Sequence, residues 1–238
     1  MTRSTIVSLT LLTTLVALLG CNTQAKWTYP INPEQLYRVE AQRTDLTIGV
    51  LPFRESRPVK NQSATMFLYL IPLVPYASVN YERPEAAKMF NTIAEWEFQV
   101  DEDLGKAAAR SFENSGLFKR VYFTLGGETR EADYMLRGTA HRTFYQGTIY
   151  SYGLSALGPL LWYIGLPAGS SINETEFLFE LVDPAGQVVW TYRTDGSHKI
   201  TQGLFYNWGN DALHFATLTE DALNEALQDL APRLAELR

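Results

Sequence analysis

The chain has 238 residues, with 26 acidic and 20 basic side chains, a formal charge of -6 and a single cysteine. Phosphate binding requires clustered Lys and Arg, so a mildly acidic chain is not expected to bind nucleic acid. A single cysteine excludes an internal disulfide and a thiolate metal site. Stability must therefore come from burial, and a chain of this length can bury one sizeable core.

The first residues have the layout of an export signal. Arg3 precedes an uncharged apolar run over 4–19, and Gly20 leads directly into Cys21. This order predicts a signal peptide over residues 1–20. An uncleaved anchor is the weaker alternative, because the run falls short of the about 20 apolar residues that span a bilayer.

The sequence around Cys21 resembles the lipobox of bacterial lipoproteins, in which the cysteine thiol is lipidated and becomes the new amino terminus. Asn22 follows, whereas an Asp there is the usual signal for retention in the inner membrane of Gram-negative bacteria. The resemblance therefore implies the outer membrane as the address. Two or three acyl chains attach a protein almost permanently. Residues 21–45 are then a lipidated tether, and 46–238 a single periplasm-facing domain.

The domain begins with elements of both classes. The β-branched segment 46–53 predicts a buried first strand. Apolar residues at helical spacing between Asp101 and Gly116, with an acidic start and a glycine end, predict a helix. Strand formers predict further strands over 117–125 and 132–145.

The second half contains the clearest hairpin. Two strand-like runs, 174–182 and 188–194, flank the turn residues 183–186. Leucines at amphipathic spacing over 210–237 then predict a helix that Pro232 kinks or interrupts. The elements together predict an α+β, two-layer domain with a mixed, mostly antiparallel sheet and helices packed on it.

Four motifs carry a family resemblance: Ile48 to Phe53, Glu113 to Val121, Ala132 to Gly138, and Leu181 to Trp190. In this order they resemble envelope lipoproteins whose domain is similar to the amino-terminal domain of the Tol-Pal translocation protein B and to the curli-secretion lipoprotein. The resemblance covers roughly residues 46–194. It implies a fold and an envelope setting, but no activity, because one fold hosts many functions.

Catalytic and metal-binding patterns are weak. His141, His198 and His214 have no metal-ligand spacing, and there is no Gly-x-Ser-x-Gly motif. The acidic residues between 95 and 103 favour a solvated helix start over a cation site. We therefore expect no enzyme, no cofactor and no metal.

Two long uncharged connections, 66–79 and 153–172, are the unusual feature. Proline and glycine interrupt both, which opposes a transmembrane helix. Either they fold over the sheet and complete the core, or they form an exposed patch for an envelope protein, for self-association or for lipid. The candidate contact residues are Leu70, Ile71, Leu73, Leu160, Leu161, Trp162, Tyr163 and Ile164.

The predicted function is that of a non-catalytic outer-membrane lipoprotein acting as an assembly or accessory subunit. One alternative is a lipid-handling transport component that shelters acyl chains with 153–172. Another is a secretion-channel subunit, which the absence of alternation over 157–166 makes weaker.

Overall fold

The computed structural model describes residues 23–26, 43–62, 64–86, 94–97, 99–126, 131–210 and 214–235. The predicted signal peptide, Cys21 and most of the tether lie outside these residues. The strands are β1 Thr23–Lys26, β2 Thr47–Val50, β3 Arg54–Glu55, β4 Asn61–Gln62, β5 Tyr76–Tyr81, β6 Ala94–Glu97, β7 Arg120–Phe123, β8 Tyr134–Tyr150, β9 Pro167–Val182 and β10 Val188–Gly203. The α-helices are α1 Val100–Asn114, α2 Pro159–Trp162 and α3 His214–Leu230.

One eight-stranded sheet dominates the fold, with β10-β9-β8-β2-β7 as its main path. Strand β2 runs parallel to β7 and β8. The pairs β8/β9, β9/β10 and β5/β8 are antiparallel. The predicted α+β class with a mixed, mostly antiparallel sheet is confirmed. Strands β1 and β6 form a separate parallel pair.

The predicted hairpin is also present and is longer than expected. Strands β9 and β10 have 16 residues each, which corresponds to a length of about 50 Å. The turn closes where the backbone N–H of Gln187 donates to the Asp183 carboxylate at 2.8 Å. Gly186 in this turn has φ 84°, a value that glycine adopts without strain.

Among the described residues, helices α1 and α3 cover one half of this long sheet. Helix α1 buries Leu104 and Phe112 against the region of β2 and β7, and α3 buries Leu223 and Leu227 against β9 and β10. Helix α3 ends at Leu230 and continues as a 3₁₀ helix, Ala231–Ala235, that contains the predicted helix breaker Pro232. We call this half the helix-covered body.

A buried arginine marks the boundary of the helix-covered body. The Arg57 guanidinium lies 2.5 Å from Glu55, 2.6 Å from Glu85 and 2.5 Å from the Thr143 hydroxyl. Burial opposes the charged form of Glu55, but hydrogen bonds and the charge of Arg57 outweigh it and lower the pKa of Glu55. We call these four residues the Arg57 cluster.

Beyond the Arg57 cluster, both predicted connections are shorter than the sequence suggested. Tyr76–Tyr81 is strand β5, which pairs with the distal part of β8, and β9 already begins at Pro167. Strand β8 likewise continues to Tyr150 rather than stopping at 145. The sequence did not reveal these strands. Their residues alternate in burial along the strand, but they scarcely alternate between apolar and polar types.

Candidate functional site: an apolar tip

Three segments meet at the uncovered end of the sheet: residues 66–76, 151–166 and 203–209. We call them the apolar tip. They lie within three stretches, 61–81, 143–173 and 200–210, that contain no Asp, Glu, Lys, Arg or His. The third segment was missed by the sequence analysis, although Phe205, Tyr206 and Trp208 in an uncharged run would have indicated it.

Direct hydrogen bonds join the first two segments. The backbone N–H of Leu73 donates to the carbonyl of Gly153 at 2.8 Å. The hydroxyl of Ser155 donates to the carbonyl of Leu70 at 2.7 Å, and the hydroxyl of Ser151 to that of Val74 at 2.6 Å. The two predicted apolar connections therefore meet in space.

Trp162, in the second segment, contacts the third segment. Its ring lies 6.4 Å from that of Trp208, and its indole N–H donates to the carbonyl of Tyr150 at 3.1 Å. Beneath the two rings is a cavity of about 80 Å³, lined in part by Ile149 and Ala168. This is smaller than a roughly 150 Å³ cavity that holds benzene.

Much of the apolar surface at the tip is exposed. Leu73 is 90% and Ile164 75% exposed. Of the predicted contact residues, Leu70, Ile71, Leu160 and Tyr163 are also exposed, whereas Leu161 and Trp162 are partly buried. Further exposed members are Phe67, Tyr76, Leu154, Leu157, Leu166, Phe205, Tyr206 and Trp208.

The uncharged connections are buried over part of their length and exposed over the rest. Ala77, Val79 and Ala168 are buried in the sheet. The turns between the strands are the exposed part. Soluble monomers rarely leave large contiguous apolar patches uncovered, so the exposed part is the candidate contact surface.

The tip backbone forms an extensive internal set of hydrogen bonds. The 3₁₀ helix Ala64–Leu70 and helix α2 supply local bonds. Additional N–H groups that donate to carbonyls within the tip belong to Ile71, Leu73, Val74, Leu154, Leu157, Gly158, Leu161, Ile164, Gly165 and Leu166. An apolar surface whose backbone is bonded in this way can leave water at low cost, because few polar groups lose a partner.

The hydroxyl of Tyr152 at the tip stays neutral. Tyr152 donates to the carbonyl of Pro167 at 2.7 Å. Burial, followed by the nearby phenols of Tyr206 and Tyr150, raises the pKa of Tyr152. The tip therefore gains no charge from this group at neutral pH.

Backbone strain concentrates in the same region. Within the described ranges, the non-glycine residues with positive φ are Leu73 (69°), Tyr152 (56°), Ser155 (54°) and Asn207 (52°), and all four lie in the tip. Such conformations cost about 1–3 kcal/mol each and cluster at functional sites. A branched aliphatic side chain such as Leu73 is an especially unfavourable occupant of this region.

Two of the three histidines, which are far apart in the sequence, meet in the fold. The rings of His198 and His214 stack at 3.7 Å, whereas His141 lies on β8. Among the described residues, no three His, Cys, Asp or Glu side chains form a group that could hold a metal.

The predicted acidic helix start is stabilised locally. The Asp103 carboxylate accepts the backbone N–H of Gln99 at 2.8 Å, and Glu102 pairs with Lys106 at 2.6 Å. The side chains of Glu95 and Glu97 lie outside the described part. No helix in the described part is both long and apolar enough to cross a membrane.

Comparisons with known proteins give only distant likenesses. No family model matches the chain, and no curated protein does. The protein XCC0632 from Xanthomonas campestris, of the family DUF330, is 15% identical over 87% of this chain and 92% of its own, with a TM-score of 0.45. The PelC dodecamer from Paraburkholderia phytofirmans is 14% identical over 80% and 92%, with a TM-score of 0.37.

Lipoprotein GNA1162 from Neisseria meningitidis is 14% identical over 74% of this chain and 96% of its own, with a TM-score of 0.21. The finer resemblance to the Tol-Pal and curli-secretion proteins stays a prediction. At these low scores, the likenesses carry no argument about function.

Proposed function

We propose that the protein is a lipid-anchored, non-catalytic envelope lipoprotein that acts as an assembly or accessory subunit of an outer-membrane or periplasmic complex. Lipid on Cys21 holds it at the membrane, and the domain faces the periplasm. The observation that carries the proposal is the convergence of three uncharged segments on one exposed end of the sheet. A surface of this kind serves contact with a membrane or with a protein rather than chemistry, because its three segments contain no Asp, Glu, Lys, Arg or His.

The lipid-handling alternative has less support. Sheltering an acyl chain requires an apolar container, and the cavity beneath Trp162 and Trp208 measures about 80 Å³. That volume is well below the 300–1,000 Å³, roughly, of small-molecule pockets. The exposed tip could touch lipid, but this cavity is too small to enclose it.

Metabolic labelling tests the anchor. Cells that express the full chain are grown with radiolabelled palmitate, beside cells that express Cys21→Ala. We expect label on the parent and none on the variant. Label that survives in Cys21→Ala would contradict the proposal, as would an unlabelled parent.

Native electrophoresis of mildly solubilised membranes tests the accessory role. An accessory subunit migrates in a complex of fixed size, well above the 26.9 kDa of the chain. Migration as a monomer under every mild condition would contradict this role. It would leave the lipid anchor unaffected.

A further inference from the structure

We propose that the apolar tip docks into the surface of the lipid bilayer, so that the protein is held at the membrane by two contacts, the lipid on Cys21 and the tip. This inference rests on the proposed function, since the anchor keeps the tip close to a bilayer. The occupant of the tip is phospholipid at the boundary between headgroups and acyl chains. A protein partner and a second copy of the chain are the competing occupants.

The first argument is the distribution of charge. Non-obligate protein interfaces are about as apolar as the remaining surface, and even the more apolar homodimer interfaces have a polar rim. Here the three stretches 61–81, 143–173 and 200–210 have no charged residue at all. The salt bridges begin only lower on the sheet, for example at Arg142 and Glu174, which lie 2.7 Å apart. An uncharged cap of this kind matches the acyl boundary of a bilayer, where a charge is costly.

The second argument is the composition of the exposed surface. The most exposed side chains of the tip, Leu73 and Ile164, lie in turns. Tyr163, Tyr206 and Trp208, which combine an apolar ring with a polar group, are exposed in the same tip. Exposed aliphatic groups together with Tyr and Trp suit a bilayer interface, where such aromatic residues are enriched.

The third argument is the internal pairing of polar groups at the tip. A segment that enters the acyl boundary must bond its own backbone, because that environment offers no water. The turn 151–166 does so through local bonds, and the hydroxyls of Ser151 and Ser155 donate to carbonyls of the neighbouring segment.

Membrane attachment by two signals is physically effective. A single weak contact with lipid is reversible, whereas a second contact on the same molecule becomes nearly intramolecular. Because the tip and the anchor belong to one chain, a modest intrinsic affinity of the tip suffices. Docking would also point the long strands toward the bilayer and leave the helix-covered body in the periplasm.

The experiment uses the full lipidated chain and exploits its single cysteine. Since lipid occupies the Cys21 thiol, a new cysteine is the only site for a thiol-reactive, environment-sensitive dye. One variant carries Leu160→Cys at the tip and its matched control carries Leu125→Cys, an exposed leucine that follows β7 at the opposite end. Both proteins are reconstituted into vesicles of phosphatidylethanolamine and phosphatidylglycerol with brominated acyl chains.

We expect the dye at 160 to shift to the blue and to be quenched by the brominated lipid, and the dye at 125 to remain in water. Adding Leu73→Ser and Ile164→Ser should lower the inserted fraction by about ten-fold or more, because each buried aliphatic side chain contributes about ten-fold to partitioning. Adding Leu125→Ser and Val188→Ser to the 160-labelled protein should leave insertion unchanged.

Two outcomes would overturn the inference. The dye at 160 could be as solvent-exposed as the dye at 125, or it could shift to the blue without quenching, which indicates a protein contact. Neither outcome touches the lipid anchor, which palmitate labelling tests independently. Conversely, a parent chain with a reactive Cys21 thiol would refute the anchor even if the tip inserted.

Discussion

The two halves of the sheet are built from similar strands but are completed in different ways. In the helix-covered body, α1 and α3 bury one face, and the buried side chains include Phe112, Phe177 and Leu227. In the apolar tip, turns, the 3₁₀ helix Ala64–Leu70 and the four-residue helix α2 stand in place of long helices, and Leu73, Ile164 and Phe205 are exposed. Apolar surface is therefore removed from water in the body, whereas much of it stays in contact with water at the tip.

This contrast separates stability from contact. Residues of the body are expected to determine the free energy of unfolding, whereas the exposed residues of the tip contribute little to it. Strain is distributed in the same sense, because the described non-glycine residues with positive φ all lie in the tip. Mutations in the helix-covered body should therefore change mainly the free energy of unfolding, and mutations in the apolar tip mainly its contact with a membrane.

The largest effect is expected for Phe112→Ala in the body. Phe112 is fully buried and stacks on Phe118 at 5.9 Å. The loss of its ring should lower the free energy of unfolding by about 4 kcal/mol. Urea denaturation followed by tryptophan fluorescence measures this. The protein that remains folded should insert its tip into vesicles as the parent does. Reduced insertion of the folded protein would contradict the view that different residues determine stability and membrane contact.

The next effect is expected at the boundary, for Arg57→Met. Removal of the guanidinium takes away the buried cation that binds Glu55 and Glu85, at a cost of about 2 kcal/mol, because both carboxylates still reach solvent. The exposed pair of Arg193 and Glu176 provides the control, since Arg193→Met should cost well under about 1 kcal/mol. Equal losses of unfolding free energy in the two variants would show that the Arg57 cluster stabilises the fold no more than an exposed ion pair does.

The Arg57 cluster also predicts a pH dependence. Because the pKa of Glu55 is lower in the folded chain than its ordinary value of 4.5, its stabilising contribution is present above that pH. The contribution is lost as the pH falls through the folded pKa. We therefore expect acid to destabilise the parent more than Arg57→Met. Denaturation at several pH values below neutrality checks this difference.

A smaller, opposite effect is expected for Glu220→Gln on α3. Glu220 is 4% exposed and its Oε1 lacks a hydrogen-bond partner. Burial, then the nearby Asp221, raises the pKa of Glu220, so its ionised form destabilises the fold at neutral pH. The substitution should stabilise the protein by about 1 kcal/mol at pH 7. The gain should vanish below the ordinary glutamate pKa of 4.5; a gain independent of pH would point to another cause.

The smallest change in stability, and the sharpest comparison, is expected for Leu73→Gly at the tip. Glycine tolerates the φ of 69°, so the variant should be as stable as the parent or more stable by up to about 1 kcal/mol. Insertion of the tip into vesicles should nevertheless decrease. Leu160→Gly, in helix α2, removes the same side chain but should cost about 1 kcal/mol. A fall in stability for Leu73→Gly would show that the residue serves packing instead.

Local signals in the sequence determined much of the body. The acidic start and glycine end of α1, the turn at 183–186 and the leucine pattern of α3 all act within a few residues of chain, so the sequence alone revealed them. The lipobox at Cys21 is equally local. It gives the anchor prediction without any tertiary information.

Only the tertiary structure decided what the uncharged segments do. Their lack of charge was visible in the sequence, but a uniform apolar run does not say which residues pair as strands. The ends of these runs belong to strands β5, β8 and β9, which pair with residues distant in the chain. The turns between the strands remain exposed. The hydrogen bond between Leu73 and Gly153 and the contact between the rings of Trp162 and Trp208 also join residues that are distant in the sequence. No local pattern predicts them. The apolar tip exists because distant segments converge, whereas the elements of the body form where the sequence itself specifies them.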